Sequence, residues 1–217
     1  MRAAAALASR ASRFARSNAR APGARARGRA RSTVARETRA NGKAAELAPL
    51  EQRVDLRVGR VLSAKRHEDA EKLYIEEIDL GEPEGPRTIL SGLVPYMSAE
   101  DIEGKSVIVF ANLKARKLAG IPSHGMILAA SDASHENVEL LVAPEGAVVG
   151  ERVRFGESDE PQAEPQTPNQ IQKKKTWEEL QPLLVTNQDC VATYEGAPMM
   201  TSAGPVKCAT MKGATIG

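Results

Sequence analysis

Short apolar strands recurring over residues 50–156, glycine-bearing turns between them, and one short helix between the third and fourth strands predict a mainly β fold. That arrangement fits a five-stranded OB-fold barrel, a partly open Greek key with a short helix. A small β-rich extension at 176–217 is expected to pack on it, because about 45 residues bury too little surface to hold a core alone.

The strands follow in order. Val54, Leu56 and Val58 alternate with Asp55 and Arg57, as in a half-buried strand; Gly59 interrupts the pattern and suggests a bulge before Val61-Leu62. Leu73 to Leu80 forms a second strand, and Thr88-Ile89-Leu90, closed by Ser91-Gly92, a third. Ser98 with Asp101 three residues on reads as a helix N-cap and its capping partner, and Gly104 ends that helix. Val107-Ile108-Val109-Phe110 is a strongly apolar strand. Met126 to Ala130 and Val138 to Val142 follow, separated by a polar loop through His135 and Asn137; Val153 and Phe155 are placed to close the barrel. Residues 157–175, polar and proline-bearing, read as a linker or a segment laid over the surface. Thr176 and Glu179 are expected to cap a short helix holding Trp177 and Leu180 and stopped by Pro182; Val191 to Tyr194 and Val206 to Ala209 supply the strands of the extension.

Charge is distributed unevenly. The 217 residues sum to +2, but residues 1–45 hold eleven arginines and Lys43 against Glu37 alone. Residues 46–217 keep 18 basic and 27 acidic groups, about −9. Residues 1–36 contain no acid and are rich in Arg, Ala and Ser, the composition of an organelle transit peptide. Residues 1–45 are therefore expected to be a disordered targeting segment for a plastid or mitochondrion; the bland alternative is a basic arm that touches RNA in the cytoplasm. Within the acidic remainder, 104–131 lack Asp and Glu and carry Lys105, Lys114, Arg116, Lys117 and His124. Residues 52–67 add Arg53, Arg57, Arg60, Lys65 and Arg66 against Asp55. Such clusters either build a groove that attracts a phosphate backbone or are solvated surface charges.

Other chemistries lack a constellation. Cys190 and Cys208 have no zinc or disulfide spacing, and His67, His124 and His135 stand apart from any ligand set, so no metal is implied. Glu68, Asp69 and Glu71 read as a solvated cluster. No phosphate-binding loop, nucleophile elbow or dinucleotide fingerprint occurs, which gives no support to an enzyme or a cofactor. No apolar run approaches the roughly 18 residues of a membrane span. Lys173-Lys174-Lys175 is a basic patch that either touches RNA or keeps the linker soluble.

The stretch Asn112-Leu113-Lys114-Ala115-Arg116-Lys117-Leu118-Ala119-Gly120-Ile121-Pro122-Ser123-His124-Gly125-Met126-Ile127-Leu128-Ala129 resembles the tRNA-binding domain family. That family includes the endothelial monocyte-activating polypeptide II domain, C-terminal extensions of some methionyl- and tyrosyl-tRNA synthetases, and stand-alone bacterial dimers. Val54 to Gly59, His67 to Ala70 with Lys72-Leu73-Tyr74, and Ser91-Gly92-Leu93 match in order and spacing. Residues 171–217 are similar to the extension that follows the barrel in the human multisynthetase-complex member, where it imitates a second subunit. The resemblance implies an OB barrel that binds tRNA without catalysis, an aminoacyl-tRNA synthetase as partner, and a monomeric pseudo-dimer. It also implies that Lys114, Arg116, Lys117 and Lys105 contact phosphates, that Arg57 and Arg60 extend the surface, that Asn112 and Ser123 hydrogen-bond sugar or phosphate, and that Met126 gives an apolar contact. Such contacts position a ligand rather than read its bases, which suits the shared shape of folded tRNA. Ala115 stands where proline is common and Ala119 where a basic residue is common, which removes one positive group. The alternative is a protein-interaction or signalling module that docks to a synthetase without touching RNA.

Overall fold

A computed structural model describes residues 48–158 and 160–217. The transit-peptide expectation for 1–45 lies outside the described residues. The chain opens with helix α1 (Leu50–Arg53) and continues into strands β1 (Leu56–Arg66), β2 (Tyr74–Asp79) and β3 (Arg87–Ser91). Helix α2 (Ala99–Ile102) and strand β4 (Ser106–Phe110) follow, then a ribbon of β5 (Arg116–Leu118) and β6 (Ile121–Ser123), then β7 (Met126–Ile127), β8 (Ala129–Ser131) and β9 (Val138–Leu140). The first sheet runs β3-β2-β1-β4-β7, all antiparallel, and forms the nearly closed OB-like barrel. The helix between β3 and β4 carries the capping box read in the sequence: the Ser98 side chain accepts from the Asp101 N–H, and the Asp101 carboxylate accepts from the Ser98 N–H.

The C-terminal part builds a second, curled sheet. It comprises β10 (Arg154–Phe155), helices α3 (Pro168–Lys174) and α4 (Thr176–Leu180), and strands β11 (Leu184–Thr186), β12 (Ala192–Tyr194), β13 (Ala197–Thr201), β14 (Gly204–Pro205) and β15 (Thr215–Ile216). Its order is β10-β13-β12-β11-β15-β8-β9, with β14 beside β13. Strands β8 and β9 thus belong to the extension's sheet, and the chain from Met126 to Ser131 passes from one sheet to the other.

Strand β4 explains the assembly. Its run Val-Ile-Val-Phe lacks the polar alternation of a half-exposed strand because both faces are covered. Val107 and Val109 point into the barrel with Val61, Ile78, Leu80, Ile89 and Ile127. Ile108 and Phe110 point outward with Leu56 and Val58, onto Leu180, Leu184, Met199 and Ile216 of the extension. Each of these extension side chains is fully buried, so the barrel's outer face is an interior of the molecule.

Several local expectations shift. The irregularity in β1 falls between Val61 and Ser63, not at Gly59. Gly59 answers a packing need: a Cβ there would sit 2.7 Å from Ile78 Cγ2 and 2.8 Å from Leu80 Cδ2. Val153 does reach the barrel, its N–H donating to the Leu56 carbonyl at 2.8 Å, but Phe155 pairs with Met199 in the extension. The segment 157–175 is not all linker, since α3 occupies its C-terminal part with a capping box between Thr167 and Gln170. Thr176 lies inside α4 and caps nothing; its hydroxyl donates to Gln166 Oε1 at 2.7 Å.

Candidate nucleic-acid interface

The ribbon β5–β6 projects from the barrel between β4 and β7 and carries the basic residues of the motif. Its strands pair Arg116 with Ser123, Lys117 with Pro122 and Leu118 with Ile121. A two-residue turn at Ala119 and Gly120 joins them, with φ of 45° and 90°. Positive φ at both central residues matches the right-handed twist of the strands, as in a type I′ hairpin. Lys114, Arg116 and Lys117 are all exposed.

The remaining motif residues hold this ribbon in place. Asn112 is buried: Oδ1 accepts from the Asp55 N–H at 2.8 Å, and Nδ2 donates to the carbonyls of Arg53 at 3.2 Å and Gln166 at 2.8 Å. Ser123 is buried too, its hydroxyl accepting from the Leu90 N–H and donating to the Gly125 carbonyl, both at 3.0 Å. Direct RNA contacts by Asn112 and Ser123, expected from the resemblance, do not fit this geometry, because both side chains are spent on internal bonds. A Cβ at Gly125 would be crowded, 3.0 Å from Ile89 Cδ1 and 3.1 Å from the Phe110 carbonyl oxygen.

The other cations divide. Arg57 is ion-paired, 2.8 Å from Asp55 and 3.5 Å from Glu82, and the hydrogen bond to Asp55 raises its pKa further. Glu82 in turn holds Arg87 at 2.6 Å. Arg60 lies at the opposite end of the β1–β4 ladder, opposite Ser106, to whose hydroxyl it donates at 3.4 Å. Register is regular from Leu56 to Arg60, so Arg57 and Arg60 face opposite sides of the sheet. Lys105 adjoins Ser106 at that same far end. The structure therefore gathers Lys114, Arg116 and Lys117, places a neutralised Arg57 near their base, and leaves Arg60 and Lys105 apart.

Beside the ribbon runs a groove of ≈ 650 Å³ between barrel and extension. Arg116 and Leu118 line it from one face of the ribbon, together with Lys114, Met126 and, from the extension, Trp177. Lys117 points to the ribbon's other face by strand alternation. The Trp177 ring packs on Phe110, centroids 5.0 Å apart and planes tilted by 50°. Sequence reasoning passed over Trp177 and Arg87. The first belongs to a helix far along the chain, and its only signal is being the lone tryptophan. The second opens a strand whose matching block, Ser91-Gly92-Leu93, lies at its other end. Among the described residues no group of three or more His, Cys, Asp or Glu is placed to hold a metal ion.

Comparison with known proteins decides the family. The family model "Putative tRNA binding domain" matches residues 56–152. The solved C-terminal domain of Plasmodium vivax p43 superposes with a TM-score of 0.70 at 36% identity, over 76% of this chain and 98% of that one. The chain belongs to the tRNA-binding domain family. Among curated members, the mouse aminoacyl tRNA synthase complex-interacting multifunctional protein 1 is 43% identical over 169 residues, covering 76% of this chain and 51% of that protein. A rice probable methionine–tRNA ligase is 46% identical over 166 residues, covering 76% of this chain and 20% of the ligase. This tRNA-binding domain chain thus spans about half, or less, of the length of these relatives.

Proposed function

We propose that the chain binds tRNA as a non-catalytic auxiliary of aminoacyl-tRNA synthetases, gripping the folded backbone. The carrying observation is the ribbon that presents Arg116 and Lys117 on an otherwise acidic body, with Lys114 exposed at its foot, where its ammonium donates to Gln172 Oε1 at 3.3 Å. Clustered cations there release counterions from a phosphate backbone, and they attract it most where no carboxylate competes. The family and the names of its relatives support tRNA as the ligand and a synthetase as the neighbour. Arg60 and Lys105, at the far end of the barrel, serve as secondary phosphate contacts, and Arg57 supports the ribbon from below rather than meeting RNA.

The test is binding of bulk tRNA by the wild-type chain and by the Lys114→Ala, Lys117→Ala double variant. Affinity should fall across all tRNA species in the variant, and wild-type affinity should fall with salt at a log–log slope of roughly −4 for about five phosphate contacts. Unchanged binding by the variant rejects the ribbon as the contact surface. Capture of a synthetase with no RNA bound would favour a protein-docking role instead.

Two further parts of the reading rest on composition and packing. The acid-free, arginine-rich residues 1–36 support organelle import, tested by fusing 1–45 to a fluorescent protein; a diffuse cytosolic signal rejects it. The extension covers the barrel's outer apolar face within one polypeptide, which supports a monomer; sedimentation as a dimer rejects that.

A further inference from the structure

The groove beside the ribbon deepens the RNA-binding reading on which it rests. We infer that it seats one unpaired nucleotide of the bound RNA, with Trp177 of the extension as the stacking face.

The chemistry of the walls points to that occupant. Leu118, Met126 and Trp177 offer apolar surface, and Lys114 and Arg116 line the same groove. A flat apolar ring joined to an anion is the chemistry of a nucleotide, the base against Trp177 and the phosphate toward the two cations. Gln181, also lining the groove, brings a carboxamide able to meet the polar edge of a base. The volume of ≈ 650 Å³ falls within the roughly 300–1,000 Å³ typical of clefts that enclose small ligands. The Trp177 ring is already fixed against Phe110, so stacking on it sacrifices little side-chain freedom. The groove is continuous with the ribbon through Lys114 and Arg116, so a backbone lying on the ribbon delivers its neighbouring nucleotide here. A base inside a duplex is covered above and below and cannot enter. The groove therefore selects RNA that carries an unpaired nucleotide beside a helical body, and the extension takes part in that selection.

Trp177 is the sole tryptophan, so its emission reports on this groove alone. The full chain is titrated with a blunt-ended RNA duplex and with the same duplex bearing a short unpaired tail. The tailed duplex should quench Trp177 and bind about tenfold tighter than the blunt one, which should bind through the ribbon without quenching. Trp177→Leu, which keeps an apolar contact on Phe110, should abolish the tenfold preference and leave blunt-duplex affinity intact. Trp177→Phe, which keeps a stacking ring, should retain most of the preference. Equal affinity for the two duplexes, or equal quenching by both, overturns the groove while leaving RNA binding standing. Failure of both duplexes and of tRNA to bind at all overturns the RNA-binding reading itself.

Discussion

Arg87 donates from Nη1 to the carbonyl oxygen of Ala111 at 2.6 Å, and from the same nitrogen to that of His124 at 2.9 Å. These two residues bracket the 112–123 segment, so one guanidinium fastens both ends of the basic ribbon to β3. Glu82 receives the other side of the fork, at 2.7 Å from Nε and 2.6 Å from Nη2. Arg87→Ala should cost about 1–3 kcal/mol by leaving two carbonyls and a carboxylate poorly satisfied. It should also weaken tRNA binding several-fold with every ribbon cation still present. Arg87→Lys keeps the charge but lacks the fork and should not restore full affinity. Denaturant melts beside tRNA titration check this; undiminished affinity in Arg87→Ala would show that the ribbon needs no latch. The same pair sets an acid limit. Arg87 holds the Glu82 carboxyl below its usual value, so this stabilisation is present above the unfolded carboxylate pKa and is lost as pH falls through the lower folded one.

Asn112 joins the entry to β1, the start of the ribbon and the approach to α3 through three hydrogen bonds. Asn112→Ala strands one buried N–H and two carbonyls, and stability should drop by about 2–4 kcal/mol. The loss should loosen the junction of barrel and extension, read as faster amide exchange near Asp55. Lowered tRNA affinity at unchanged stability would instead show a direct RNA contact.

Glu76 is fully buried on β2, accepts a hydrogen bond from the Ser91 hydroxyl, and has Oε2 without a partner. Burial lifts its carboxyl from the ordinary range to about 7, against the opposing pull of Ser91. Its folded pKa lies above the unfolded one. The stability of the neutral acid is therefore complete below about pH 4 and is lost as pH rises toward 7. Glu76→Gln, neutral throughout, should exceed wild type by up to about 3 kcal/mol at pH 8 and by less than about 1 at pH 5. Urea melts at the two pH values measure it; a gap that does not widen with pH refutes the assignment.

Ala119 occupies a left-handed position, φ 45°, at the tip of the ribbon. An alanine is strained there by about 1 kcal/mol, whereas asparagine or glycine is at ease. Ala119→Asn should slow amide exchange in β5 and β6 and leave the rest of the barrel unchanged. No slowing would mean that the hairpin does not limit local opening.

Much of the barrel was legible because its causes are local. Alternation in Val54 to Val58, the Ser98–Asp101 capping pair, and the glycines that punctuate the strands act within a few residues of each other. The unbroken apolar run Val107 to Phe110 was read as a strand, and the reason for it, burial of both faces, came from the packing of the extension. The bulge in β1 was misplaced because Gly59 has a non-local reason, the approach of Ile78 and Leu80. The short helix α3 was hidden in a stretch whose prolines and polar residues suggested a linker; its capping pair Thr167 and Gln170 was the available signal.

By itself the sequence determined the succession of the first four strands with the helix between the third and fourth, the acidic body, and the acid-free segment with its motif. Only the tertiary structure decided which members of that motif are presented and which are fasteners. Burial and geometry consume Asn112 and Ser123, and Arg57 is neutralised by Asp55, two residues before it, and by Glu82 from the turn after β2. It alone brought Trp177 beside Lys114 and Arg116. A side chain's free valence and charge depend on neighbours in space, and those neighbours come from parts of the chain that only folding brings together.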